Sequence, residues 1–449
     1  MTTTVDILLR GGTAVTPQGT EVVHIGTTGG RITWIGSDLT GAPSARETVD
    51  VTGLHVLPGV IDPQVHFREP GGEHKEDLET GTRAAVLGGV TAILEMPNTE
   101  PPTTTVPALQ EKLRLAAGRA WCDHAFFVGA RPDNLETLGE LELHAGCAGV
   151  KIFMGKSTGG LLVDSEEGLH LALSSGRRRV AVHAEDEARM RERKPIVEAS
   201  RDVHDHPVWR DAESARLATD RLLRVARKVG RRVHVLHVTT GDELPLLAAN
   251  RDVATFETTP QHLTLSAPEC YDRLGTFAQM NPPIRTAEHR EALWEAVRTG
   301  LLDAIGSDHA PHTREEKARP YPESPSGMTG VQTLVPVMLN HVHEGRLSLE
   351  RFVDLTSTGP ARVYGLVRKG RISPGYDADF TIVDLAATRT VEESWIASRC
   401  GWSPFSGVSL TGWPQMTILR GAVVMRDLET VGTPVGRPVE FFDTLQPGA

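Results

Sequence analysis

The sequence predicts an α/β fold: a (β/α)8 TIM barrel with a small β-sandwich domain built from both chain ends. Eight short apolar runs alternate with helical patterns through the middle of the chain, which is the count for such a barrel. Both ends carry a different texture, short β runs split by glycine turns. A third observation, the polar residues that terminate the apolar runs, predicts where the chemistry sits.

Residues 1–53 form the N-terminal part of the small domain in this reading. Val5–Leu9, Val22–Gly26 and Arg31–Ile35 are apolar-rich and separated by Gly11-Gly12 and Gly29-Gly30. Residues 367–449 supply its C-terminal part and tail, with turn-then-strand over 371–384 and a hairpin of Met416–Leu419 and Ala422–Met425 about Gly421. Neither segment alone is large enough to bury a good core, so the two are expected to pair.

Residues 54–366 form the barrel. Its strands are predicted at His55–Ile61, Thr91–Met96, Cys122–Val128, Gly149–Phe153, Val180–His183, Val233–Val238, Val253–Glu257 and Ala304–Ser307. Helical patterns fill the gaps at Asp77–Leu87, Val106–Ala117, Asn134–Ala145, Glu166–Ser175, Asp211–Val229, Asp242–Ala249 and Ala287–Thr299. Further helices follow the eighth strand over 329–366.

Composition narrows the function classes. The chain has 449 residues, 39% hydrophobic and 23% charged, as ordinary globular proteins do. A net charge of −11 argues against nucleic acid or an anionic membrane as partner. No apolar run reaches bilayer-spanning length, and MTTTVDILLR lacks the basic start and apolar core of a signal peptide. The cysteines, Cys122, Cys147, Cys270 and Cys400, show no pairing pattern, which points to a reducing cytoplasm and buried free thiols.

Catalytic groups of such barrels stand where strands end at the C-terminal face. Strand one ends in Gln64, His66 and Arg68, which alternation puts on one side of an extended chain. Strand two ends at Asn98, strand four carries Lys151, strand five ends at His183 and strand six at His237. Strand eight runs into Asp308 and His312. Imidazoles and a carboxylate converging from different strands suit zinc or another borderline divalent ion. An ammonium would repel that ion, so Lys151 fits only as a neutral amine or as the carbamate formed with CO2.

These motifs carry a resemblance. PGVIDPQVHFREPG (58–71), EMPNT (95–99), VKIFMGKSTGG (150–160), VHAEDE (182–187), HVLHVTT (234–240), MNPPIR (280–285) and SDHAPH (307–312) stand in the order seen in the amidohydrolase superfamily. The chain resembles its cyclic-amide branch, and within that the dihydroorotases. The resemblance implies reversible hydrolysis of (S)-dihydroorotate to N-carbamoyl-L-aspartate, with one or two zinc or other divalent ions per chain. Lys151 is similar to the carboxylated lysine that bridges two metals. His183 and His237 resemble the ligands of the more exposed ion, and His66 and Asp308 those of the more buried one. Asp308 also resembles the proton carrier. Arg68, Asn98, Asn281 and His312 resemble the groups that hold the substrate's carboxylate and ring amide. A homodimer or homotetramer and an association with aspartate transcarbamoylase are further implications.

One position departs from the pattern. The family has His-x-His where this chain has Gln64-Val-His66. A glutamine oxygen is a weaker and harder ligand than imidazole, so the buried site loses affinity. Two alternatives accompany the dihydroorotase reading. One is an allantoinase or hydantoinase, which the IFMG context of Lys151 suits. The other is a non-catalytic partner of aspartate transcarbamoylase, for which Gln64 is the support.

Other motifs read as ordinary structure. Gly155–Gly160 lacks the first glycine of a phosphate-binding loop and is expected to be a mobile loop over the pocket. His341 and His343 are expected on a solvated helix face, and His204 and His206 in a surface connection. Cys122 and Cys147 are expected to serve packing.

Overall fold

A computed structural model describes residues 4–156 and 160–444. Ser157–Gly159 lie outside the described residues, and with them the centre of the loop expected over the pocket. The barrel strands are β1 (Val60–Val65), β2 (Val90–Glu95), β3 (Asp123–Gly129), β4 (Cys147–Phe153), β5 (Val180–His183), β6 (Val233–Val235), β7 (Ala254–Thr258) and β8 (Ala304–Ile305). They pair in parallel in chain order from β1 to β8. The seam between β8 and β1 is joined just past the strands. His66 N donates to His309 O at 2.7 Å, and the Asp62 carboxylate accepts from Ser307 N at 2.9 Å.

Small side chains let the barrel fill its own interior: Ala92, Ala125, Ala148 and Ala181 alternate with Leu94 and Phe127. Tyr364, Leu366 and Phe441 close the N-terminal end of that core. Outside, amphipathic helices such as Leu78–Leu87, Val106–Ala116 and Ala212–Val229 bury one face against the strands. Asp77, Thr105 and Asp211 cap them by accepting from backbone N–H groups of the first turn.

Both chain ends contribute to one nine-stranded sheet. Its middle strand is His55–Pro58, parallel to Thr4–Thr16 on one side and antiparallel to Phe380–Thr390 on the other. The predicted strand His55–Ile61 is therefore two strands in two sheets. The change occurs at Gly59, whose N–H donates to Asp379 O at 2.9 Å. A Cβ there would stand 2.3 Å from Thr91 Oγ1 and 2.8 Å from Asp379 Cβ, so only glycine fits the crossing.

Other differences have local causes. The helical pattern over Asn134–Ala145 shrinks to Leu138–Leu141, where Asn134 instead anchors a turn by donating to Thr104 O and Gly129 O. An additional helix, Glu187–Ser200, lies past the β5 motif and carries an interior Pro195 that hid it from pattern reading. His341 is buried, bonded to Thr264 Oγ1 at 2.9 Å and edge-on to Trp294, while its neighbour two residues on, His343, is exposed. The four cysteines are free and buried. Among the described residues no helix is long and apolar enough to cross a membrane.

Candidate active site

A cavity of about 330 Å3 opens at the C-terminal end of the barrel. Gln64, His66 and Arg68 reach it from the end of β1, Asn98 from beyond β2, and Lys151 from β4. His183, His237, Asn281, Asp308 and His312 complete its wall, so all ten residues singled out above meet in one place. Strand pairing in barrel order brings nine of them there, since each strand delivers the residues at or just past its end to the same rim, and Asn281 comes from the connection between β7 and β8.

The backbone is unusual at three of these positions. Arg68 (φ 64°), His237 (φ 37°) and Asp308 (φ 45°) all occupy the left-handed region. Such conformations cost about 1–3 kcal/mol each and persist only where surrounding contacts hold them. For Arg68 they also correct the alternation argument. β1 ends at Val65, so Arg68 reaches the cavity through a turn and not along an extended strand.

Asp308 and His66 form the centre of one wall. Asp308 Oδ1 accepts from Gln64 Nε2 at 3.0 Å and lies 3.1 Å from His66 Nε2. Asn98 Oδ1 stands 2.7 Å from His66 Nδ1, a contact that fixes the ring and leaves Nε2 directed at Asp308. On the opposite wall His183 Nδ1 and His237 Nε2 approach to 3.0 Å, their rings nearly perpendicular. Glu185 Oε2 lies 2.8 Å from His183 Nε2 and is itself held by Arg210. Burial lowers the pKa of His66, His183 and His237, keeping the rings neutral, the form that binds a cation.

Lys151 lies between the two walls. Its side chain is fully buried, and its Nζ has no hydrogen-bond partner among the described residues. Burial pulls its pKa down to about 7, against a weaker opposing pull from Asp308 and Glu257. Gln64 Oε1 is likewise buried without a partner among the described residues. Three neutral imidazoles, a carboxylate, an unbonded amide oxygen and an amine that is half neutral near pH 7 fit a first-row divalent ion, with Lys151 as its carbamate.

A second group lines the cavity beside these. Arg68 donates to Pro311 O at 3.2 Å and lies 3.3 Å from His312 Nε2. It has no ion-pair partner among the described residues. Lys75 Nζ sits 3.1 Å from His312 Nδ1. Burial and these two cations push the His312 pKa well down, so the ring stays neutral.

Sequence reasoning missed one member of the site. His206, expected at the surface, is wholly buried. Its Nε2 lies 3.1 Å from Asn281 Oδ1 and 3.0 Å from Met280 O, and its Nδ1 3.1 Å from Tyr321 OH. Its pKa falls to about 3, chiefly by burial. The signal available was the surrounding run His206-Pro-Val-Trp209, which is too apolar for a solvated loop. His204, by contrast, is at the surface between Asp202 and Asp272.

A separate cluster, Asp123, Asp377 and Asp379, is close enough to share an ion. Those carboxylates instead surround the Lys369 ammonium, 2.5–3.0 Å away, with Arg420 also on Asp123. Asp123 begins β3, so this is an ion-pair node at the barrel's other end, joining it to the small sheet.

Fold and cavity together define a barrel of the enzyme type, with its polar groups gathered at the C-terminal rim. The model of the amidohydrolase family matches residues 55–424, and the chain belongs to that family. It is 38% identical to a dihydroorotase of Halobacterium salinarum over 92% of this chain and 95% of the relative. It is 34% identical to an allantoinase of Deinococcus radiodurans over 96% and 98%. Among solved structures, the L-hydantoinase (dihydropyrimidinase) from Arthrobacter aurescens superposes with a TM-score of 0.92 at 31% identity, covering 97% of this chain and 99% of that one.

Proposed function

We propose that this chain is a metal-dependent dihydroorotase, hydrolysing (S)-dihydroorotate reversibly to N-carbamoyl-L-aspartate. Arg68 carries the reading. It is a guanidinium in the cavity wall with no carboxylate partner among the described residues, and dihydroorotate brings one, whereas allantoin and hydantoin rings do not. His66, His183, His237, Asp308 and the Lys151 carbamate would hold zinc or a similar ion, with Gln64 as a weak extra ligand. Such an ion supplies a water acidic enough to attack near neutral pH and polarises the amide carbonyl.

The chain's own groups do the rest. Arg68 binds the ring carboxylate in a planar fork, with neutral His312 beside it as a hydrogen-bonding partner. Asn281 is oriented by His206 and offers its amide nitrogen to the ring. Asp308 takes the proton of the attacking water and delivers it to the ring nitrogen as the C–N bond breaks. Asn98 holds His66 in place and borders the substrate.

An allantoinase or hydantoinase is the second reading, supported by relatives and structures of those kinds at similar distance. A non-catalytic partner of aspartate transcarbamoylase is disfavoured, because a single ligand differs and the remaining donors converge. The buried free thiols suit a reducing cytoplasm, and we expect a homo-oligomer there. The deciding experiment is a substrate panel on protein of known metal content. Turnover of dihydroorotate above allantoin and hydantoin supports the reading, and the reverse order rejects it.

A further inference from the structure

A second cavity, of about 420 Å3, lies at the opposite end of the barrel from the catalytic one. Six arginines and Lys369 line it in a chain whose net charge is −11. Arg178 and Arg179 stand immediately before β5, and Arg232 immediately before β6, so parallel pairing sets them side by side. Arg371 comes from the segment that leads into the small sheet.

Lys369 is neutralised by Asp123, Asp377 and Asp379, but four of the arginines, Arg178, Arg179, Arg232 and Arg371, make no ion pair among the described residues. Arg178 donates to Cys147 O at 2.7 Å and to Thr444 Oγ1, and covers the Phe441 ring. Arg179 donates to the carbonyls of Val363 and Val233. Arg232 and Arg371 are exposed and make no ion pair among the described residues. Arg362 and Arg368 do pair, with Asp354 and Glu440, and Asp443 is the acidic residue in the wall. Burial, with Arg232 close by, brings Arg179 down to about 10, as expected where guanidinium groups crowd without counter-charge. Like charges held together in a concave wall repel one another and focus a positive potential, which a bound anion relieves.

The same wall ends in an apolar handle. Phe442 is 75% exposed, the highest value among the exposed large hydrophobic side chains, and it borders the cavity beside Phe441. An exposed aromatic face next to a cluster of guanidinium groups matches a ligand with a flat ring at one end and several negative oxygens at the other. The volume lies within the range of small-molecule sites.

We propose that this cavity binds a nucleoside di- or triphosphate, its phosphates on Arg178, Arg179, Arg232 and Arg371 and its base against Phe442. The site is separate from the catalytic cavity and makes no use of its residues.

Calorimetric titration of the full chain at physiological ionic strength, without added divalent metal, tests this. The probes are inorganic tripolyphosphate and a nucleoside triphosphate. Saturable one-to-one binding of both is expected, tighter for the nucleotide by about tenfold, the order expected from one stacked base. The double variant Arg232→Glu/Arg371→Glu, whose side chains are exposed and unpaired, should weaken both by at least about tenfold while its circular dichroism melt stays unchanged. Phe442→Ala should remove the preference for the nucleotide, and Arg68→Ala should leave both affinities as they are. The proposal is overturned by absence of saturable binding below about 1 mM. It is equally overturned by binding that survives the charge reversals, by tripolyphosphate binding as tightly as the nucleotide, or by loss of binding in Arg68→Ala.

Discussion

Gln64 Nε2 donates to Asp308 Oδ1 at 3.0 Å, a bond between residues 244 positions apart across the seam of the barrel. It ties the end of the first strand to the end of the last at the centre of the candidate metal site. Where the family pattern has a histidine, this chain has a donor that holds Asp308 and an amide oxygen left unbonded.

Replacing that donor with a ligand should tighten the metal. Gln64→His is expected to raise metal content in protein grown under metal limitation and to slow chelator stripping by about tenfold or more, the scale of a gained or improved ligand. Elemental analysis across a chelator time course measures it. Identical content and stripping rates in the two proteins would place Gln64 outside the metal's reach.

Arg68→Ala should lower kcat/KM for dihydroorotate by roughly 2–3 kcal/mol, the range for hydrogen bonds to a charged group. Turnover of an uncharged hydantoin should be little affected. Equal losses on both substrates would mean that Arg68 shapes the pocket without binding a carboxylate.

Activation of metal-free protein should depend on pH through Lys151. Its neutral amine attacks CO2, forming an N–C bond and releasing one proton, and the ammonium cannot. With a folded pKa of about 7, activation by zinc at fixed CO2 pressure should rise about tenfold per pH unit below pH 7 and level off above it. The linked effect on stability has a definite sign. Between pH 7 and the ordinary lysine pKa of 10.5, the unfolded chain holds a proton that the folded one lacks. The Lys151 contribution to unfolding free energy therefore increases with pH across that window and is constant below it. Lys151→Met should abolish both dependences in rate measurements and urea titrations.

His206→Phe keeps the ring volume but removes the partner of Asn281 Oδ1 and Tyr321 OH. Stability should drop by about 1–3 kcal/mol, the cost of leaving buried polar groups unsatisfied. KM should rise more than kcat falls, because Asn281 loses its orientation. Unchanged KM with lowered stability would leave His206 a purely structural residue.

Lys369→Met leaves Asp123, Asp377 and Asp379 facing one another without their ammonium. Removing one side of a buried ion-pair set costs about 3–5 kcal/mol. A clear fall in Tm is expected, recovered in part by acid as the carboxylates take up protons. A melt unchanged at neutral pH would show that Arg420 and Arg31 already neutralise the node.

Much of this molecule is legible in its sequence because strand and helix periodicities are local. Eight apolar runs, each followed by a helical pattern, have few topologies open to them, and parallel barrel order sends every strand end to one rim. Knowing which residues end the strands was therefore enough to bring nine side chains into one cavity, and the tenth, Asn281, came from the family resemblance. Where local signals conflicted with position, the reading failed. The apolar run through Pro58 and Gly59 looks like one strand, yet its halves pair with partners about 290 residues apart in the chain, Phe380–Thr390 and Val90–Glu95.

The sequence by itself determined the barrel, its chemistry-bearing rim and the one departure at Gln64. Tertiary structure alone decided which polar groups are buried and what each one touches. His206 and His341 lie in stretches that read as polar and are enclosed by distant elements. Asp62 joins the seam, Lys369 gathers three carboxylates, and the arginines before β5 and β6 meet in a cavity. Hydrogen bonds and ion pairs of this kind depend on three-dimensional proximity between residues far apart in the chain, and no local periodicity carries that information.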